Sequence, residues 1–158
     1  PQLLMSAEAA KSAFEVIKIF MSGKENNESK GIIVIATVHG DIHDIGKNIV
    51  KVLLDNYGYT VVDLGKDVDP QLVVDTAIEQ DIKMIGLSAL MTTTLKSMED
   101  TISLVKNAKE LQNPDGSCKC KIVVGGAVLT EDYAHKIGAD YYCKDAKEAV
   151  DTAKKVLG

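Results

Sequence analysis

Three short stretches of the chain carry side chains suited to chemistry. In the first, His39-Gly40-Asp41-Ile42-His43-Asp44-Ile45-Gly46-Lys47-Asn48, the His43 imidazole stands between two carboxylates. A carboxylate bonded to one ring nitrogen fixes the tautomer and makes the other nitrogen a better metal ligand. The second, Ser88-Ala89-Leu90-Met91-Thr92-Thr93-Thr94, is a source of hydroxyls. The third, Gly125-Gly126-Ala127, lacks side chains, so that backbone can approach a bulky ligand. Gly86 thins the segment ahead of the second stretch in the same way. Taken singly, each has a plainer reading. His43 could be a polar loop residue capping the next helix, and His39 an exposed one. Thr92 is an acceptable helix N-cap, and Gly125-Gly126 a turn. A hydrolytic metal centre on His39, Asp41, His43 and Asp44 lacks a further ligand cluster. Met84, Met91 and Met98 read as core packing, and Cys118 and Cys120 as strand-edge residues.

Each stretch follows a strand. The run 31–38 is continuously apolar and rich in β-branched residues, which suits a strand buried on both faces. Further strands are expected over 59–64, 83–88, 120–124 and 139–142. Helices are expected over 44–57, 70–80, 94–111, 130–137 and 145–157. In the first of these, Ile45, Ile49, Val52 and Leu53 form an apolar stripe; Pro70 opens the second at a favoured position. Strand and helix alternate five times, the pattern of a three-layer α/β domain around a parallel sheet. In the flavodoxin-like strand order 2-1-3-4-5, strands one, three and four are neighbours. All three stretches then converge on the carboxyl edge of the sheet, where such folds bind ligands. Ahead of this domain, residues 1–22 read as a helix with Ala7, Ala10, Phe14, Ile17 and Met21 on one face, and 23–30 as a polar linker.

Composition narrows the function classes. With 46% hydrophobic and 26% charged residues, the 158-residue chain is globular rather than disordered. Its net charge is −5 and all 18 basic residues are lysine. Without arginine forks or a basic patch, neither nucleic acid nor an anionic membrane is an expected partner. No apolar run reaches the roughly 20 residues of a membrane span. Three cysteines do not make a disulfide framework and fit reduced thiols in a cytoplasmic protein. The opening Pro1-Gln2-Leu3 has neither a start Met nor a signal peptide, so the chain reads as a piece of something longer.

In order, Asp41-Ile42-His43-Asp44-Ile45-Gly46, Ser88-Ala89-Leu90 and Gly125-Gly126 resemble the fingerprint of the cobalamin-binding domain, over residues 30–158. The closer resemblance is to corrinoid methyltransferases: methionine synthase and the small corrinoid proteins of methylamine and methanol metabolism. Gly46-Lys47-Asn48, the Ser-Ala-Leu-Met-Thr-Thr-Thr spelling, and an entry similar to the last helix of a helical cap favour this branch over the mutases. The resemblance implies a cobalamin cofactor, bound with its lower base detached and His43 as the lower axial ligand of cobalt. It implies that Asp41 hydrogen-bonds the imidazole and that Thr94 completes the relay where relatives carry serine. Ser88 is implied to meet the detached base and Thr92 the corrin or tail. Gly125 and Gly126 are implied to line the slot and Ala146 to pack against the cofactor. Gly40, Ile42, Asp44, Gly46 and Leu90 complete the implied binding set. The implied function is a methyl-carrier module, incomplete as a catalyst alone, of methionine synthase, carrying a methyl group from methyltetrahydrofolate to homocysteine. A methylamine- or methanol-type corrinoid protein, or the cobalamin subunit of a carbon-skeleton mutase, is the alternative. Implied partners are methyl-donor and methyl-acceptor domains or subunits, the helical cap and a reductive reactivation partner. A cobalamin-dependent sensor and a corrinoid-free receiver-type domain remain as other classes.

Overall fold

The structure, a computed structural model, describes residues 29–158. The helix expected over 1–22, and the linker up to residue 28, lie outside the described residues. Five strands, β1 (Ile32–Thr37), β2 (Thr60–Asp63), β3 (Met84–Ser88), β4 (Lys121–Gly125) and β5 (Tyr141–Tyr142), form one parallel sheet in the order β2-β1-β3-β4-β5. Five helices connect or follow them: α1 (Ile45–Asn56), α2 (Pro70–Glu79), α3 (Leu95–Asn107), α4 (Glu131–Lys136) and α5 (Ala146–Leu157). This is the expected flavodoxin-like architecture.

Alternation along the strands divides the core in two. Val34, Ala36, Ile85, Leu87, Ile122 and Val124 meet Val73 and Ala77 of α2, Met98, Ile102 and Val105 of α3, and Ala134 of α4. On the other face Ile33, Ile35, Met84 and Val123 meet Leu54 of α1 and Ala149, Val150 and Ala153 of α5. Every residue of β1 after Ile32 is buried, as its continuous apolar run requires. Three helices begin on a side-chain cap. Asp69 accepts from Gln71 N–H ahead of Pro70, and Thr130 from Tyr133 N–H. Asp145 accepts from Glu148 N–H while Lys144 N–H donates back to the Glu148 carboxylate.

Three expectations are corrected. The helix expected over 94–111 ends at Asn107, and a separate 3-10 turn spans Lys109–Leu111. One more helical turn beyond Val105 would bring Lys109 onto the buried face. Instead the backbone extends at Ala108, Leu111 enters the core, and the Gln112 side chain donates to Lys106 O (2.9 Å). The last strand begins at Tyr141 rather than 139, because the Asp140 carboxylate takes the Ile122 N–H (2.8 Å). The inward residues of α1 are Lys47 and Leu54 rather than a stripe through Ile45, which is half exposed.

Candidate functional site

Strand register builds the site. Thr37, Ser88 and Gly125 stand in one row across β1, β3 and β4. Their loops therefore leave the carboxyl edge side by side. Ala89 N–H donates to Gly125 O (3.3 Å), and the Thr37 and Ser88 hydroxyls are 3.0 Å apart. Gly126 is the reason the β3 and β4 loops approach so closely. A Cβ there would lie 1.8 Å from Ala89 O, and its φ of 142° disfavours any side chain. A Cβ on Gly125 would meet Cys143 O at 3.1 Å. The two glycines thus fit backbone against backbone as well as bordering open space.

The Asp41 carboxylate is completely buried and gathers the β1 and β3 loops. Its Oδ1 accepts from the backbone N–H (3.0 Å) and ring Nδ1 (2.8 Å) of His43. Its Oδ2 accepts from Leu90 N–H (2.7 Å), Met91 N–H (3.3 Å) and the Thr94 hydroxyl (2.8 Å). Burial pushes the Asp41 pKa up. The hydrogen bonds from Leu90, His43 and Thr94 outweigh it and hold the carboxyl well below the usual carboxylate range. The ionised carboxylate only accepts, so His43 Nδ1 carries the ring proton and Nε2 presents a lone pair. The His43 side chain is 44% exposed, and Nε2 has no hydrogen-bond partner among the described residues. Thr94 stands where the implied relay has serine, and its hydroxyl reaches Asp41 while also lying 2.9 Å from Met91 O. Its methyl group packs toward Gly40, where a Cβ would be 3.5 Å away.

Beneath His43 lies a cavity of about 810 Å³ between the sheet and helices α1 and α5. Ile33, Ile35, Met84 and Val123 form its sheet wall, and Val50, Leu54 and Ala149 its helical wall. Gly86, between Ile35 and Val123 in the register, thins the sheet wall. At the mouth stand Ile42, Ile45 and Leu90, which are 62%, 50% and 43% exposed and form an apolar rim around the imidazole. Exposed apolar groups clustered beside a deep slot mark a ligand surface. Helix α1 has no side-chain cap, so its first N–H donors also remain open at this end.

Of the residues singled out in the sequence, Ile42, His43, Asp44, Gly46, Ser88, Leu90, Gly125, Gly126 and Ala146 border the cavity. Gly40, Asp41 and Thr94 do not; they stand behind the imidazole. Thr92 does not border it either: it is exposed, opens the 3-10 turn Thr92–Thr94, and makes no side-chain cap. His39 is exposed and paired with Asp67 (3.1 Å). Met84 and Met98 are core residues, but Met91 is exposed beside the site. Cys118 is half-buried, and the buried Cys120 thiol donates to Ile82 O (2.9 Å).

Sequence reasoning missed Thr37, Asp67 and the Lys47–Asp63 ion pair. Lys47 is buried in the cavity wall and its ammonium donates to Asp63 Oδ1. Its seven-residue spacing from Leu54 is the one signal that places it on the inward face. Nothing in the local sequence marks Thr37 or Asp67, whose partners come from other strands and loops. Among the described residues no helix is long and apolar enough to cross a membrane, and no group of three or more His, Cys, Asp and Glu side chains could hold a metal ion.

Residues 31–154 match the family described as the B12 binding domain. Dimethylamine corrinoid protein 1 of Methanosarcina acetivorans is 43% identical over 157 residues, covering 99% of this chain and 71% of the relative. The solved Methanosarcina barkeri monomethylamine corrinoid protein superposes with a TM-score of 0.84 at 33% identity, over 99% of this chain and 71% of that one. The methanol:cobalamin methyltransferase complex of the same organism gives a TM-score of 0.73 at 30% identity, over 99% of this chain and 57% of the other.

Proposed function

Since the chain belongs to the family of B12 binding domains, we propose that it is the corrinoid methyl carrier of a methylamine-type methyltransferase system, with His43 as the lower axial ligand of cobalt. One observation carries this reading: a fully buried, ionised Asp41 holds His43 by Nδ1 and leaves Nε2 as a lone-pair donor at the mouth of an apolar slot. A metal centre with a long appended group fits that arrangement, since the ring offers one nitrogen and the glycine-bordered slot of about 810 Å³ can take the appended group. The methylamine assignment is supported by relatives named as mono- and dimethylamine corrinoid proteins. They favour it over methionine synthase, the first choice from sequence, and over a mutase subunit.

When bound, the corrinoid supplies a cobalt centre able to accept a methyl group and pass it on. The protein's part is to hold and adjust the ligand. Asp41 keeps the proton on Nδ1 and so directs the Nε2 lone pair outward. The N–H groups of Leu90 and Met91 and the Thr94 hydroxyl keep Asp41 ionised throughout. Ser88, Gly125, Gly126 and Ala146 border the slot for the detached nucleotide base, and Ile42, Asp44, Gly46 and Leu90 its mouth. Gly40 supports the loop from behind. Thr92, outside the cavity lining, is reserved for a group that protrudes from it.

The partners of this carrier are methyltransferase subunits for donor and acceptor, a helical cap and a reductive reactivation protein, in the cytoplasm. The test is to load the protein with reduced cobalamin and add a methylamine methyltransferase with mono- or dimethylamine. Growth of the methylated-cobalamin absorption spectrum supports the reading. Growth with methyltetrahydrofolate and its methyltransferase instead restores methionine synthase, and turnover that requires adenosylcobalamin points to a mutase.

A further inference from the structure

The loop after β2 is folded against the loop that carries Asp41 and His43. Val38 and Val68 form an isolated parallel bridge beyond the ends of β1 and β2. Thr37 N–H donates to Gly65 O (2.9 Å), and Val68 N–H donates to Thr37 O (3.1 Å). Asp67, at the tip, makes the two bonds that matter most. Its N–H donates to Asp41 O (2.9 Å) and its Oδ1 accepts from Gly40 N–H (2.7 Å). These bonds flank the Gly40–Asp41 peptide and grip it from outside. His39 Nδ1 reaches the same Oδ1 at 3.1 Å.

Asp67 does this with a φ of 52°, in the left-handed region that side chains other than Asn and Asp rarely enter. Such a conformation persists where the surroundings over-determine it, and it clusters at functional sites. Here the left-handed turn is what lets one residue present both an N–H and a carboxylate, one to the peptide after Asp41 and the other to the peptide before Gly40. The His39 and Asp67 side chains are both more than half exposed, so their link is worth little as a charge pair. What Asp67 contributes is an acceptor in a fixed place. On the inner side of the Gly40–Asp41 peptide the Asp41 carboxylate holds the His43 ring. Asp67 does not border the cavity, so it acts through Asp41.

We propose that Asp67 is a positioning residue for the cobalt-ligating loop, whose left-handed backbone and carboxylate clasp Gly40–Asp41 and thereby set where Asp41 presents His43. The proposal rests on the reading of His43 as the cobalt ligand. Three variants separate the parts of the clasp. Asp67→Asn keeps the left-handed turn and an acceptor oxygen but not the charge. Asp67→Gly keeps the turn without the acceptor, and Asp67→Ala loses both.

Two readouts are needed, with a thermal melt for each variant. In the protein without cofactor, the nitrogen shifts of the His43 ring report how much Nδ1–H tautomer Asp41 enforces. In the protein loaded with cobalamin, the absorption spectrum is compared with that of His43→Ala. The expected result is that Asp67→Asn matches the parent in both. Asp67→Gly and Asp67→Ala still melt cooperatively, but their ratio of Nδ1–H to Nε2–H tautomer falls at least threefold and their loaded spectra move toward that of His43→Ala. An Asp67→Gly protein with parental ring shifts and spectrum overturns the proposal. So does an Asp67→Asn protein as impaired as Asp67→Ala, since the clasp would then work by charge. If His43→Ala itself leaves the loaded spectrum unchanged, the ligand reading fails, while the ring shifts still decide whether Asp67 positions the loop.

Discussion

Gly46 offers a substitution whose effects on the empty and the loaded protein have opposite signs. It is the second residue of α1 and borders the cavity, and a Cβ built on it meets nothing within 4 Å. In the protein without cofactor, Gly46→Ala therefore gains helix propensity at no steric cost, about 0.5–1 kcal/mol. For a domain of this size that raises Tm by roughly 1–4 °C. Once the cofactor is bound, the added methyl occupies space the ligand needs. Overpacking of about 1–3 kcal/mol lowers affinity roughly 5- to 150-fold. Saturating ligand at about 100 times Kd stabilises the parent by about 2.7 kcal/mol. A loss of affinity beyond roughly fivefold cancels even the upper end of the helix gain, so the order of the two melting temperatures inverts on loading. The assay is a pair of thermal melts for each protein, with and without cobalamin. A Gly46→Ala protein less stable than the parent when empty would contradict the open space seen at Cβ. One that remains the more stable when loaded would show that the ligand does not approach the start of α1.

Further substitutions probe the rest of the site. Asp41→Asn places an amide NH2 among hydrogen-bond donors and should cost about 3 kcal/mol at neutral pH, measured by urea unfolding. The Asp41 carboxyl lies below its unfolded value of about 4, so its stabilisation is complete above that pH and is lost as pH falls through the folded value. Unfolding midpoints of the parent should thus fall on acidification more steeply than those of Asp41→Asn; equal acid limbs would remove Asp41 from the account. Gly126→Ala forces a Cβ to 1.8 Å from a carbonyl oxygen that cannot rotate away, and should cost about 3 kcal/mol or more. Gly125→Ala, with its contact at 3.1 Å, should cost less in the same denaturation experiment. Lys47→Met should destabilise by about 3 kcal/mol because it leaves the Asp63 charge without its counter-ion, and adding Asp63→Asn, which keeps an acceptor for the Gly65 N–H, should recover part of that loss.

Much of this architecture is legible in the sequence because it depends on local periodicity. The continuous run through β1, the Pro70 helix start and the helices expected over 130–137 and 145–157 fall within a residue of the elements observed. Strand order then follows from the fold class, and with it the convergence of the three loops on one edge of the sheet. The end of α3 was not legible, because whether Leu111 or Lys109 faces the core depends on a neighbouring layer. Asp41 and His43 lie two positions apart and can be read directly as a pair. Its reinforcement by Leu90 N–H, 49 residues away, and Thr94, 53 away, needed the fold or a resemblance. Asp67 and Thr37 stayed hidden because their partners lie on other loops and strands, which composition does not encode. The sequence reads the two glycines as space for a ligand, whereas their tightest contacts are with Ala89 O and Cys143 O of the protein itself.

The most direct test asks which nitrogen binds cobalt. The protein is labelled with nitrogen-15 at histidine only, loaded with unlabelled cobalamin, reduced by one electron and examined by electron paramagnetic resonance. Coordination by His43 Nε2 predicts that the cobalt lines split into doublets from a nitrogen-15 nucleus, and that the doublets vanish in His43→Ala. Triplet splitting would mean that the cofactor keeps its own base as ligand, and would contradict the central role of the Asp41–His43 pair.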